Sequence, residues 1–278
     1  MDPKTNSTGT ARGRPEIEFV AEKAARLVEL VRGFPIAGIE GSYKMSRQSL
    51  LSNRLMIGLS RSSIEDDAIL AILHSLNAPA ELLKEIVPSL PPANLVLFGF
   101  EDGDTHCLYK FYLEYWDRLV EAVDAGVLAP ALLHLGFKWS AATGERIAVT
   151  RYSCFPMLTH EDILERVRSF HRATEHSGPL GAVKSILHAA FRRANSFVYL
   201  EGEEEGSPRR SYDVNLYAAE LKLRDIASEL AVLRDYFAIP VQDFGRLFDR
   251  IGEATLGHIS GGTGRAGEDF VTFYYDMD

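Results

Sequence analysis

The chain has 278 residues, 46% of them hydrophobic and 25% charged. That suits one large domain or two small ones and is too apolar for a disordered chain. No stretch approaches the roughly 20 apolar residues of a membrane helix, so a membrane partner is not expected. The net charge of −9, from 30 basic and 39 acidic residues, tells against a nucleic-acid binder, which usually carries a basic face. It still allows a few buried Lys and Arg to surround a small anion. Two cysteines, Cys107 and Cys154, are too few for a disulfide framework and fit a reducing, cytoplasmic setting. Residues 1–14 are polar, lack the apolar centre of a signal peptide and read as a disordered tail. Residues 15–278 read as a single domain, expected to be a monomer.

In chain order, Glu16 to Arg32 has helical apolar spacing through Val20, Ala24, Leu27 and Val31 and stops before Gly33. Two alternating runs follow, Ile36 to Met45 and Leu50 to Ser60. Ser63 to Leu76 reads as a helix with Ser63 at its N-cap. Asn94 to Glu101 and Thr105 to Tyr115 read as strands joined at Asp102-Gly103, a hairpin signal. A helix over Trp116 to Ala125 precedes strands Leu133 to Ala141 and Arg146 to Cys154, which meet at Thr143-Gly144. Thr159 caps a helix to about Thr174, and Ala182 to Arg193 forms another. Ser196 to Glu201 and Arg210 to Tyr217 flank an acidic segment, Gly202 to Pro208, expected to be a mobile loop. Ala218 to Phe237 and Val241 to Ile251 read as helices separated at Pro240. Thr255 to Ser260 and Asp269 to Tyr275 form the last hairpin, with its turn at Gly261 to Gly264.

Five hairpins separated by helices exclude the βαβ logic of a parallel sheet. Ten antiparallel strands can close into a barrel with helices outside, or lie in an open α+β sheet; periodicity alone allows both. The side-chain alternation carries more information. Tyr109, Phe111, Leu113 and Tyr115 oppose Lys110, Tyr112 and Glu114. Tyr212, Val214 and Leu216 oppose Ser211, Asp213, Asn215 and Tyr217. Ile147 and Val149 oppose Ala148, Thr150 and Tyr152, and Val271, Phe273 and Tyr275 oppose Thr272 and Tyr274. An exposed sheet face explains any one polar set. Together they keep supplying tyrosines and hydrogen-bonding groups, as expected of a lumen that holds a ligand with one anionic and one apolar end.

This lining resembles the ABBA prenyltransferases, whose barrel repeats α-β-β-α units, and is most similar to the cyanobactin-type peptide prenyltransferases. Gly38-Ile39-Glu40-Gly41-Ser42-Tyr43-Lys44 with Asn53-Arg54-Leu55-Met56 resembles that group's first hairpin. There a glutamate lies near the acceptor and an arginine holds diphosphate. Phe98-Gly99-Phe100-Glu101 resembles the third strand, where an acid also faces the acceptor, and Leu108-Tyr109-Lys110-Phe111-Tyr112 the fourth, whose lysine binds diphosphate. Val214-Asn215-Leu216-Tyr217 resembles a strand of the wider family whose asparagine contacts diphosphate and whose tyrosine shields the allyl group. The likeness runs from about Glu16 to Tyr275 and rests on order and spacing. Glu114 and Thr272 depart from it, standing where a basic residue is expected; Arg265 or Arg151 are candidate substitutes.

The resemblance implies an α/β fold, the ABBA barrel of ten antiparallel strands enclosed by helices. It implies an enzyme that transfers a prenyl group, with dimethylallyl expected, from an allylic diphosphate to a peptide side chain. Negative charge builds on the leaving diphosphate, so preorganised cations and donors lower the barrier. Arg54, Lys110, Asn215 and Lys44 are the candidates, arginine for bidentate contact and lysine as a compact charge. Tyr112, Tyr152, Tyr217, Tyr274 and Tyr199 are candidates to shield the carbocation from water and stabilise it. Glu40 is the candidate base for the acceptor's proton.

Glu101, Glu114 and Asp213 are candidate acceptor-binding residues. With Glu40 they make many acids for an aromatic acceptor, so an arginine or histidine side chain is expected, unless some of the acids simply pair with Arg54 and Lys110. Mg²⁺ assistance follows from the resemblance, but no dedicated metal site is legible and the eight histidines lack zinc spacing. An aromatic small-molecule prenyltransferase and a non-catalytic ligand-binding barrel are the alternatives. Gly262-Thr263-Gly264-Arg265-Ala266-Gly267 fits G-x-G-x-x-G but precedes a strand rather than a helix, so it reads as a hairpin turn.

Overall fold

The computed structural model describes residues 22–103, 107–171 and 178–277. The expected tail at 1–14, the start of the first helix at 16–21, His106, which the sequence allows to face the lumen, and the end of the helix expected to reach Thr174 lie outside the described residues. Among those described, eleven strand segments form one antiparallel sheet. They are β1 (Ile36–Ser46), β2 (Ser49–Leu51), β3 (Asn53–Ser60), β4 (Leu95–Asp102), β5 (Cys107–Glu114), β6 (Ala131–Ser140), β7 (Arg146–Cys154), β8 (Tyr199–Glu204), β9 (Arg210–Asn215), β10 (Leu256–Thr263) and β11 (Asp269–Asp276). The order follows the chain, and β11 pairs with β1 to close the ring, Gly41 opposite Tyr275 and Tyr43 opposite Phe273. β2 leads into β3 with a break at Ser52, so the barrel has ten staves. The closed barrel, rather than the open sheet, is the fold.

Closure follows from the alternation. Tyr43, Phe98, Phe111, Phe137, Val214 and Phe273 point outward and are fully buried beneath the helices. α1 (Glu22–Val31), α2 (Asp66–Ser75) and α3 (Ala80–Ile86) cover β3 to β7. α5 (His160–Ser169), α6 (Leu180–Phe191), α7 (Ala227–Tyr236) and α8 (Val241–Ile251) cover the rest. A smaller cluster under α4 (Trp116–Asp124) includes Leu119, Leu133 and Leu200. The hydrophobic core therefore lies between barrel and helices. Burying each large apolar side chain there contributes about 1.5–3 kcal/mol, which leaves the barrel interior free to be polar. Ten strands make a ring wider than the eight whose interior side chains can fill.

Several local expectations need correction. Ser63 does not cap α2: it lies in a 3₁₀ turn (Arg61–Ser63), its hydroxyl donates to the Ser60 carbonyl, and the helix starts after Glu65. The acidic segment is half strand: Gly202 to Glu204 continue β8, and Glu204 is buried in the lumen because Arg265 neutralises it. The helix expected over Ala218 to Phe237 is broken by Glu220 in the left-handed region, with 3₁₀ turns Tyr217–Ala219 and Leu223–Ile226 before α7. A register shift near Lys138 leaves Ile147 without a paired position, and it lines the cavity instead of joining the outer face with Val149. Thr159 does cap α5, with a reciprocal bond to Asp162.

A polarised cavity as candidate active site

The barrel encloses a cavity of about 490 Å³. One end of the ring carries the strand–strand hairpins, among them those at residues 46–49, 140–146, 204–210 and 263–269. The other carries the strand–helix junctions. The two ends differ in charge because each strand delivers different residues to them.

Near the hairpin end, Lys44, Arg54, Lys110, Lys138, Arg209 and Arg265 line the cavity with Glu101, Glu204 and Glu268. Six basic side chains thus face three carboxylates. Arg54 Nε donates to Glu101 Oε2 at 2.9 Å, and Lys110 Nζ donates to the same oxygen. Register puts these groups together: Arg54 pairs with Glu101, Gly99 with Lys110, and Lys110 with Lys138. Arg265 reaches Glu204 from the β10–β11 hairpin through Nε at 2.5 Å and a second nitrogen at 3.0 Å. Lys44 lies 4.5 Å from the Phe270 ring centroid and Arg209 5.2 Å from it on the same ring.

The crowding of like charges is visible in the titration. Burial lowers Lys110, Glu101 raises it and Arg54 lowers it again, leaving it at about 8. Burial, Arg209 and Arg54 bring Lys44 to about 8. Burial, Arg209 and Lys110 push Lys138 well below its ordinary value. Arg54 is raised: burial is the largest single effect and lowers it, but Glu101, Tyr274 and Tyr112 together outweigh burial. One of its terminal nitrogens is buried with no hydrogen-bond partner. An excess of cations held close together in low dielectric is an anion site.

A belt of tyrosines follows. Tyr112 and Tyr152 stand 6.1 Å apart, and Arg54 lies 5.8 Å from the Tyr274 ring centroid. Glycines on the next strand make room for the first two rings. A Cβ at Gly136 would fall 2.5 Å from Tyr112, and one at Gly202 would fall 2.8 Å from Tyr152. Gly136 is the register partner of Tyr112, and Gly202 that of Tyr152. Met56, Leu97, Leu108, Ile147 and Leu200 supply apolar wall beside the belt.

Toward the junction end, His258 is the centre of a carboxylate cluster. Its Nδ1 lies 2.8 Å from Asp213 Oδ1 and its Nε2 3.6 Å from Glu40 Oε1. Tyr217 donates its hydroxyl to Glu40 Oε1 at 2.5 Å and meets the imidazole edge-on. Burial opposes a charge on His258, but Asp213 and Glu40 override it and raise it to about 9. His134, 3.8 Å from Glu114, is held at about 4 by burial, and burial raises Glu114.

The cavity thus brings together Arg54, Lys110, Lys44, Tyr112, Tyr152, Tyr274, Glu40, Asp213 and Glu101. Tyr217 and Glu114 are not in its lining: Tyr217 bonds to Glu40 instead of joining the tyrosine belt, and Glu114 lies against His134. Three further expectations change. Tyr199 is fully buried on the outer face of β8, where it packs on Phe155, because the alternation that turns Leu200 and Glu204 inward turns Tyr199 out. Asn215 is not with the cations: its amide lies 3.3 Å from His258 Nε2 and accepts from the Tyr217 backbone N–H. Glu101 sits among the cations rather than beside an acceptor. Lys138, His134 and Arg209 were missed. The alternation of β6 puts His134, Gly136 and Lys138 opposite Leu133, Leu135 and Phe137, so the first two basic groups were legible. Arg209 lies in a hairpin, where no periodicity marks it.

Among solved structures, 5-dimethylallyltryptophan synthase from Streptomyces coelicolor superposes over 87% of this chain and 81% of its own, with a TM-score of 0.58 at 12% identity. The fold is the ABBA prenyltransferase barrel. The prenyltransferase PriB, solved as a ternary complex with L-tryptophan and dimethylallyl thiolodiphosphate, matches over 86% of this chain and 80% of its own (TM-score 0.56, 16% identity). The prenyltransferase NotF matches over the same shares (TM-score 0.55, 17% identity). No family model matches the chain, and no curated protein matches it in sequence.

Proposed function

We propose that the protein transfers a prenyl group, dimethylallyl on the precedent of the donor analogue bound to PriB, from its diphosphate to a neutral aromatic acceptor, an indole or phenol, free or within a peptide. The observation that carries the reading is the polarity of the lumen: cations at one end, tyrosine faces between, and a carboxylate–imidazole cluster at the other. Arg54, Lys110 and Lys138, with Lys44 and Arg209 beside them, receive the diphosphate. They stabilise the charge that grows on the leaving oxygen as the C–O bond breaks. Tyr112, Tyr152 and Tyr274 flank the allylic cation and keep water from it. Glu40 takes the acceptor's proton. The allyl carbon gains its bond to the acceptor, the diphosphate leaves with the electron pair, and the proton ends on Glu40.

Three of the four acids that suggested a cationic acceptor are engaged by the chain's own cations. Glu101 is bonded to Arg54 and Lys110, and Glu40 and Asp213 flank His258. This favours a neutral acceptor, as does the tryptophan bound to PriB. A guanidinium acceptor is the second reading, favoured by Glu114, whose nearest ion-pair partner, His134, is held neutral by burial. The described residues hold no cluster of three or more His, Cys, Asp and Glu side chains arranged for a metal ion. With Glu101 and Glu204 committed to basic side chains, they do not fit a protein-held Mg²⁺.

The test is incubation with dimethylallyl diphosphate and three acceptor sets: indoles, phenols and arginine peptides. Diphosphate release with a one-prenyl mass gain on an indole or phenol supports the reading. A gain confined to arginine peptides moves it to the second. Donor binding with no product on any acceptor refutes transfer and leaves a binding barrel.

A further inference from the structure

The sequence allows His258 to face the lumen but favours a surface or core role; the structure puts it where the acceptor's proton must go. It lies on β10 and is faced from four other strands and a turn. Asp213 and Asn215 come from β9, Glu40 from β1, Tyr274 from β11 with ring centroids 5.7 Å apart, Glu114 from β5 and Tyr217 from the 3₁₀ turn. Among these, Asp213 and Glu40 lie on opposite ring nitrogens. Nδ1 donates to Asp213, and two carboxylates within 4 Å of one buried ring favour its charged form; a neutral ring would instead leave Nε2 to accept from the Asn215 amide at 3.3 Å.

We propose that His258 is the positioning residue of the acceptor site. As an imidazolium anchored by Asp213, it fixes Glu40 toward the lumen as a carboxylate, and transfer requires that charge. The inference rests on the transferase reading and adds to it a residue and a pH limit. The charge on His258 depends first on Asp213, so transfer is present at neutral pH and declines as pH rises through about 9. Glu114 and His134 also bear on the His258 charge, but the burial that holds His134 at about 4 leaves it neutral across that range.

The experiment follows kcat at saturating dimethylallyl diphosphate, where the donor-affinity loss expected from Lys44 and Lys110 does not enter, between pH 6 and 10 in the wild type, His258→Gln and Asp213→Asn. Dissociation of dimethylallyl thiolodiphosphate is measured in parallel as a check on the fold. The wild type is expected to lose activity with a midpoint near 9. Asp213→Asn moves that midpoint down by at least one unit. His258→Gln abolishes it and lowers kcat by up to ~100-fold, the scale of a misplaced reacting group, while donor affinity stays within twofold at each pH. Nitrogen-15 NMR of the imidazole supplies the second readout: His258 is doubly protonated at pH 7. A neutral His258 at pH 7, or an Asp213→Asn limb that coincides with the wild type, overturns the inference and leaves prenyl transfer standing. Wild-type protein that binds donor but alkylates no acceptor overturns both.

Discussion

Raising the pH from 7 to 9 isolates the cationic end of the lumen without changing a residue. Lys44 and Lys110 both titrate at about 8, lowered chiefly by burial and by neighbouring arginines. A diphosphate binds their charged forms. A lysine with a midpoint of about 8 is ~90% protonated at pH 7 and ~10% at pH 9, so each costs the apparent affinity about tenfold over that interval. If both contact phosphate the loss is ~100-fold, or ~2.7 kcal/mol at 1.36 kcal/mol per unit. The sign follows from the direction of the shift: lysines lowered to about 8 favour binding below that pH and lose it as pH rises through it. Calorimetric titration with dimethylallyl thiolodiphosphate, in two buffers of different ionisation enthalpy, reads both quantities. Affinity should fall between pH 7 and 9, and up to about two protons should be taken up per ligand at pH 9. A dissociation constant constant within threefold across that range, with no proton uptake, would refute the assignment of these lysines to the diphosphate.

Gly136→Ala should force Tyr112 from its seat, because the new Cβ falls 2.5 Å from the ring. The expected cost is about 1–3 kcal/mol in thermal unfolding, with more donor hydrolysed per product formed. Tyr152→Leu should leave donor affinity nearly unchanged and raise the ratio of prenyl alcohol to alkylated product, which chromatography of the reaction resolves. Arg54→Met should weaken analogue binding most and also lower the unfolding midpoint, since Glu101 loses one of its two cations; removing one partner of a buried pair costs about 3–5 kcal/mol. Thr159→Ala should cost about 1 kcal/mol in denaturant unfolding with no change in turnover, because the capping box on α5 lies far from the lumen in role.

The barrel was legible because its physics is local. Hairpin turns and two-residue alternation on Tyr109 to Tyr115, Arg210 to Tyr217 and Val271 to Tyr275 set which side faces the helices, and closure followed. The inward positions of Lys110, Tyr112 and Asp213 came from the same rule. What failed needed more than alternation. Tyr199 has the chemistry of the belt but the wrong parity, which only the register of β8 against β7 reveals. Glu101 and Asn215 face inward, but their partners come from strands distant in the chain, so the sequence could not say which end of the lumen each serves. Ile147 was displaced by a bulge, and Arg209 sits in a turn, where no period applies. Glu204 was taken for a loop residue because a buried glutamate is expected only beside a cation, and that cation, Arg265, is 61 residues away.

The central claim is that the basic end of this lumen holds an allylic diphosphate. A crystal structure of the protein with dimethylallyl thiolodiphosphate tests it most directly. Phosphate oxygens within hydrogen-bond distance of Arg54, Lys110 and Lys138, with the prenyl chain against Tyr112 and Tyr152, are the predicted result. Phosphate bound at the His258 end, or outside the barrel, would contradict it.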